Sequence, residues 1–263
     1  MNAPSRALTD SATMFRRQLR HLLRYPSMTL MLIGLPVVLM LLFVYVFGGT
    51  LGGGLGGAST GRAAYLAYVA PGILLLTVAS AAQGTAISVA MDMTEGIVAR
   101  FRTMPVARSS VLAGHVLGSM VQSSLSVLVV LGVALAIGFR PAAGPLGWLA
   151  VAAVVAMASF ALTWLSVALG LVASNVESAS NLPMFLILLP FLGSGFVPTG
   201  SMPLVLRWFA EYQPFTPITE TLRALLTGDP VGHHALVAVA WCAGIAILSF
   251  AWALRLFTRR TTR

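Results

Sequence analysis

Charge is scarce in this 263-residue chain, so the residues that could do chemistry fall in few places. The first is MDMTEGIVARFRTMPVAR at 91–108, which sets Asp92, Glu95, Arg100, Arg102 and Arg108 between two long apolar runs. Charges of both signs on so short a segment suit a helix that docks another protein, while an ordinary positive-inside loop would explain the arginines alone. The second is 193–229, where Arg207, Glu211, Glu220 and Arg223 lie among Pro198, Pro203, Pro214 and Pro217 and the aromatics Trp208, Phe209, Tyr212 and Phe215. The third is the glycine run GGTLGGGLGGASTG at 48–61, a composition that can cradle phosphate. A Walker A motif needs a Lys to reach the phosphates, and this chain contains no Lys. That reading therefore fails, the run reads as a flexible extracytoplasmic connector, and any ATP must be bound by another polypeptide.

Other reactive residues form no set. His233 and His234 are adjacent and face different ways on a helix, so no metal site is expected there. His115, between Gly114 and Gly118, reads as a satisfied or interfacial polar residue rather than a proton relay. Cys242 is the single cysteine and has no disulfide partner within the chain. An intramembrane enzyme would need a clustered catalytic set within the apolar runs, and none is visible, so no catalytic residue is expected and an enzyme is disfavoured. No apolar run carries an acid at its centre, which argues against proton- or sodium-coupled transport.

The elements that must position these residues follow from composition. The chain is 58% hydrophobic and only 9% charged, with mean hydropathy +0.90, whereas a soluble domain carries roughly 25% charge. No Asp, Glu, Lys or Arg occurs between Arg24 and Arg62, Arg62 and Asp92, Arg108 and Arg140, Arg140 and Glu177, Glu177 and Arg207, or Asp229 and Arg255. Each gap exceeds the ~20 residues that cross a hydrocarbon core as helix. Six spans are expected, centred on 28–47, 66–90, 110–137, 148–172, 181–197 and 235–256. The runs are apolar on all sides, which disfavours a transmembrane barrel with its alternating strands. The first begins near Met28 behind a basic segment, unlike a cleavable signal peptide.

Arginines give the orientation. Twelve of the 16 lie in the N-terminal segment, the 91–108 loop and the tail, and four lie in the other connections. With six spans both termini share a side, and arginine-rich short loops stay cytoplasmic. The net charge of +9 is thereby explained by topology, with no soluble basic domain to bind nucleic acid.

Two cytoplasmic elements are expected to be amphipathic. In residues 9–24, Leu8, Ala12, Phe15, Leu19, Leu22 and Leu23 share a helical face, with Arg16, Arg17, Arg20 and Arg24 mostly off it. This suits an interfacial helix on the inner leaflet that can line up the first span. In the second, Thr94 can cap a helix from Glu95 to about Met104, with Ile97, Val98, Phe101 and Met104 as an apolar strip. Pro105 ends it. Residues 174–181 (SNVESASN) read as a short cytoplasmic connector whose one charge is Glu177. In 193–229 the prolines cut the chain into pieces too short to span, so one or two short helices are expected to dip into the outer leaflet, which favours a pathway element over a decorative loop.

Three stretches carry a family resemblance: RRQLRHLLRYP (16–26) leading into LPVVLMLLFVYVFGG (35–49), MTEGIVARFRTMPVARSSVLAGHVL (93–117), and SGFVPTGSMP with LRWFAEYQPFTPITETLRALLTG inside 194–228. The chain resembles the membrane subunit of type-2 ABC exporters, and more closely the daunorubicin-resistance-type permeases. The resemblance implies an all-α integral membrane fold of six transmembrane helices in a single permease domain (1–263). An N-terminal elbow helix lies in 1–27, a cytoplasmic coupling segment in 91–108, an extracytoplasmic re-entrant region in 198–232 and a cytoplasmic tail in 258–263. It assigns Glu95, Gly96, Arg100, Phe101, Arg102, Pro105 and Arg108 to contact with an ATPase, and Phe15, Arg16, Arg17 and Arg20 to the elbow. Pro198, Pro203, Trp208, Glu211, Pro214, Pro217, Glu220 and Arg223 fall to the re-entrant path.

The implied partners are two copies of a separately encoded ABC ATP-binding subunit, which would hold ATP-Mg, a second permease chain (identical or related), membrane lipid and a small amphipathic cargo. The chain itself is implied to hold no cofactor or metal. The implied location is a bacterial cell membrane, with outward transport of a drug, antibiotic or lipid. A non-transporting scaffold or sensor subunit, or an intramembrane enzyme, are the alternatives.

Overall fold

The computed structural model describes residues 26–53, 61–94 and 108–261. Helix α1 (Pro26–Leu42) passes through one π-helical turn, Phe43–Phe47, into α2 (Gly48–Gly53). The expected flexible connector is thus helical over its first six residues and prolongs the first span, which runs from Leu32 to Gly53. The reason lies in packing: a Cβ on Gly52 would come within 2.2 Å of the Gly61 carbonyl oxygen, so the glycine admits a close backbone approach.

Helix α3 (Arg62–Thr94) is the axis of the molecule. Its 33 residues make about 50 Å of helix, well beyond the ~30 Å hydrocarbon core. It packs against α1, α2, α4 (Arg108–Ala136), α5 (Pro145–Val172) and the short helices that follow. Association within lipid rests on close packing, and small residues permit it. A Cβ on Gly170 of α5, for instance, would sit 2.6 Å from the Ala86 carbonyl oxygen of α3. Tyr65, Leu66, Val69, Ile73 and Leu76 of α3 join Val155 and Leu162 of α5 in the main apolar core.

Thr94 is the last described residue of α3, and its hydroxyl donates to the Met91 carbonyl (3.0 Å); the helix expected from Glu95 to about Met104 lies outside the described residues. Asp92 therefore belongs to the last turn of a long helix rather than to a loop. The elbow residues Phe15, Arg16, Arg17 and Arg20, and the coupling residues Glu95, Gly96, Arg100, Phe101, Arg102 and Pro105, lie outside the described residues. Arg108 begins α4.

The expected span at 181–197 is not a continuous helix. It comprises α6 (Val176–Asn181), α7 (Met184–Leu188) and hydrogen-bonded turns through Phe196. Asn175 caps α6 by accepting from the Ser178 N–H (2.7 Å), so the connector expected at 174–181 is itself mostly helical. Pro183 and Pro190 then withdraw two backbone donors and break the helical ladder. Five helices among the described residues are long and apolar enough to cross a membrane: Leu32–Gly53, Arg62–Thr94, Gly114–Ala136, Pro145–Val172 and His234–Leu256. The last lies in α10 (His234–Thr261), which follows α8 (Leu204–Tyr212) and α9 (Phe215–Thr227). Gly228, at φ 81°, ends α9 in a left-handed cap. The described residues contain helices, turns and no strand.

Candidate functional site: polar joints along the central helix

At the Arg62 end of α3 the broken segment, α3 and α9 are tied by side chains. The turns at 189–196 lack a regular helical ladder, so several carbonyls need outside donors, and such backbone persists at membrane depth only inside protein. The donors are specific. Gln213 Nε2 donates to the Leu189 carbonyl (2.9 Å). Tyr68 Oη donates to the Ser194 carbonyl (3.0 Å), and Tyr65 Oη to that of Phe196 (3.1 Å). The Ser194 N–H donates to Thr216 Oγ1 (3.3 Å). Glycines make room: a Cβ on Gly193 would lie 2.5 Å from Gln213 Nε2, and one on Gly72 of α3 would lie 2.5 Å from the Gly195 carbonyl oxygen. Phe191 and Phe196 stack at 4.3 Å, and Phe43 of the π-helical turn closes on Phe196 at 4.7 Å.

Arg223 is the hub of this joint. Its Nη2 donates to the carbonyls of Ser194 (2.7 Å) and Tyr68 (3.2 Å), its Nε donates to Tyr68 O (3.3 Å), and its Nη1 pairs with Glu220. The guanidinium also lies 3.9 Å from the centre of the Tyr68 ring. One planar cation thus joins three elements, which suits Arg rather than Lys.

The other residues expected along a path are spread out. Arg207 and Glu211 pair on α8 (2.7 Å) but are half-exposed. The tilted rings of Trp208 and Tyr212 lie 5.3 Å apart on its outer face, beside Leu204 and Val205, each 83% exposed. This unpartnered apolar and aromatic face suits an interface with lipid. Pro198, Pro203 and Pro214 precede the 3-10 turn Thr199–Ser201, α8 and α9 respectively, and Pro217 is buried in the first turn of α9. The structure therefore joins Glu220 and Arg223 but leaves Trp208 and Glu211 on a separate outer surface.

Toward the Thr94 end lies a second polar system, which the sequence reading left unassembled. His115, Ser119, Gln122, Ser123 and Ser126 are all buried on α4. Their spacing of four, three, one and three places them on one helical face. Across that face His115 Nε2 is 3.0 Å from Asp92 Oδ2 of α3. Ser119 Oγ meets Thr85 of α3 and, at 3.3 Å, Thr163 of α5, and Ser123 Oγ pairs with Ser159 Oγ of α5 at 3.0 Å. The signal was present in the sequence as a helical-period stripe of polar residues inside an apolar run.

The sequence profile of the ABC-2 type transporter family matches residues 10–227. The chain belongs to this family. That match takes in the charged segment 91–108 and both joints. The "Daunorubicin resistance ABC transporter permease protein DrrB1" of Streptomyces coeruleorubidus is 27% identical over 263 residues, covering 99% of this chain and 88% of the relative. The "Probable doxorubicin resistance ABC transporter permease protein DrrC" of Mycobacterium tuberculosis is 27% identical over 186 residues, 68% of this chain and 65% of the relative. An ABC-2 membrane protein with several apolar spans is a multi-pass membrane protein.

Proposed function

We propose that the chain is the membrane-spanning permease subunit of an ATP-driven exporter that moves an amphipathic drug, antibiotic or lipid outward. The observation that carries this is the family match over 10–227, supported by full-length similarity to a permease named for daunorubicin resistance. ATP-Mg is assigned to a separate ABC subunit, present in two copies, and a second permease chain completes the membrane part. Amphipathic cargo fits a chain whose described spans bury few charges.

The broken segment is assigned as the fifth of six crossings. Gln83 Nε2, about two thirds of the way along α3, donates to the Ser180 carbonyl (2.8 Å), and Tyr65 holds Phe196 near the Arg62 end. The rise between Tyr65 and Gln83 is about 27 Å, close to the ~30 Å hydrocarbon thickness. Six crossings return both termini to one side, and the arginine distribution makes that side cytoplasmic. The Thr94 end of α3 then faces the cytoplasm, and α8 and α9 form the extracytoplasmic re-entrant region. The coupling helix is assigned to about 94–104 within the segment 91–108, and Glu95, Gly96, Arg100, Phe101, Arg102, Pro105 and Arg108 of that segment are assigned to contact with the ATPase. The segment with Phe15, Arg16, Arg17 and Arg20 forms the elbow.

ATP-driven closure of the two ATPases moves the coupling helices, and the permease pair shifts between inward- and outward-facing packings, which the cargo binds differently. The test is co-purification with an ABC ATPase and ATP-dependent daunorubicin accumulation in inside-out vesicles. Glu95→Arg combined with Arg100→Glu is expected to abolish both complex and transport. Transport by the reversed variant at the wild-type rate removes these residues from the docking contact, and wild-type vesicles that accumulate no cargo with ATP favour a non-transporting subunit.

A further inference from the structure

The His115–Asp92 contact stands at a mechanically special place. Asp92 is three positions before the segment 95–107, at the end of α3, and His115 is two turns into α4, which follows that segment. The pair bridges the two antiparallel arms that leave the segment. Its side chains are 8% and 15% exposed, and Val89 and Val116 of the second apolar cluster, with Met93 and Met120 against it, pack around the arms. In so apolar a setting the low local dielectric strengthens a 3.0 Å contact between an imidazole nitrogen and a carboxylate. Only one ring nitrogen is engaged: Nε2 faces Asp92, while Nδ1 is buried without a protein partner. Further into the bundle, Thr85–Ser119, Ser119–Thr163 and Ser123–Ser159 continue the same antiparallel register through α3, α4 and α5.

We propose that His115 is a positioning residue that clamps the arms of the coupling segment through Nε2, so that a displacement at 95–107 moves α3, α4 and α5 as one body. Without the clamp the arms splay, and the displacement is absorbed at the cytoplasmic mouth instead of reaching the extracytoplasmic joint. His115 does not touch the ATPase or the cargo in this scheme. It sets how much transport each hydrolysis event yields. This inference rests on the exporter reading, since it needs a motor that acts at 95–107.

The two polar isosteres of histidine separate the clamp from mere polarity. Glutamine places its amide nitrogen near the position of Nε2, and asparagine places its own near Nδ1. The full permease with its co-purified ATPase is reconstituted in liposomes, and daunorubicin moved per ATP hydrolysed is measured for wild type, His115→Gln and His115→Asn. The expected result is near wild-type stoichiometry for His115→Gln and a loss of about tenfold for His115→Asn, the scale of one hydrogen bond to a charged group, with ATP hydrolysis and complex yield held within about twofold. Equal stoichiometry in the two variants overturns the clamp, as does a parallel fall in hydrolysis, transport and yield, which marks a structural role only. A wild-type complex that hydrolyses ATP without moving any cargo overturns the exporter reading itself, and with it the need for a clamp.

Discussion

Two ion pairs in this chain have nearly the same local sequence geometry and should differ sharply in energy. Arg207 and Glu211 are four residues apart on α8, and Glu220 and Arg223 are three apart on α9. Their side chains are 49% and 41% exposed in the first pair, but Arg223 is 14% and Glu220 28% exposed in the second. Replacing Arg207 with Met removes a screened contact and should change stability by about 0.5 kcal/mol or less. Replacing Arg223 with Met leaves the Glu220 carboxylate largely enclosed without its cation. It also takes a donor from the Ser194 and Tyr68 carbonyls and a cation from the Tyr68 ring. Uncompensated burial of one partner costs about 3–5 kcal/mol. Glu220 keeps some access to solvent and Ser194 keeps the Tyr68 hydroxyl, so about 3 kcal/mol is expected. The double variant Arg223→Met with Glu220→Gln should recover about 1–2 kcal/mol relative to the sum of the single changes, because the stranded charge is gone. Denaturant unfolding of purified protein in detergent micelles measures all four variants. A cost for Arg223→Met no greater than for Arg207→Met, or additive single changes, refutes the assignment of Arg223 as the hub.

The remaining predictions concern the same joint, with Gly244 of α10 as a comparison outside it. Gly72→Ala should destabilise the protein by about 1–3 kcal/mol through overpacking, since its Cβ would meet the Gly195 backbone. Gly244→Ala, with nothing within 4 Å of the new methyl, should stabilise by up to about 1 kcal/mol through helix propensity; thermal unfolding in micelles reads both signs. Tyr65→Phe strips the Phe196 carbonyl of its side-chain donor and should cost about 1–2 kcal/mol. Tyr68→Phe should cost less, because Arg223 still donates to Ser194; the same unfolding assay ranks the pair.

The legible part of the fold was the part set by bulk hydropathy. Charge-free runs located all five long helices, and Arg140 marks the end of α4, where its Nη1 donates to the Leu135 carbonyl (3.0 Å). The fifth run was legible as apolar but not as broken. Its apolar residues mask Pro183 and Pro190, which break the ladder, Gly193, which opens room for the Gln213 amide, and Gly195, which lets the turn close on the Pro190 carbonyl and the Gly72 backbone. Glu220 and Arg223 stood out because charge is rare; the partners of Arg223 did not, since Tyr68 and Ser194 are ordinary residues 155 and 29 positions away. The α4 stripe failed to register for a different reason. Serine and histidine within an apolar helix carry little signal singly, and only the register of α3 and α5 beside them gives each one a partner.

On the exporter reading, the two polar systems divide the mechanical work according to how their bonds are made. A continuous helix bends little, because its hydrogen bonds are internal and breaking several at once is costly. The α3–α4–α5 unit consists of such helices, laced by short side-chain contacts at a fixed antiparallel register. It is built to carry a displacement along its length. The broken segment is the reverse. Its backbone at Leu189, Ser194 and Phe196 is held by Gln213, Tyr68, Arg223 and Tyr65, all of them side chains on other elements. Rotamer changes can release and remake such bonds one at a time without unwinding any helix. Motion arriving along α3 is therefore transmitted by its seam and taken up at its Tyr65 end. With the proposed orientation, the backbone held by side chains of other elements lies on the side where the outward opening would form, and Arg223 is the bond most worth watching there.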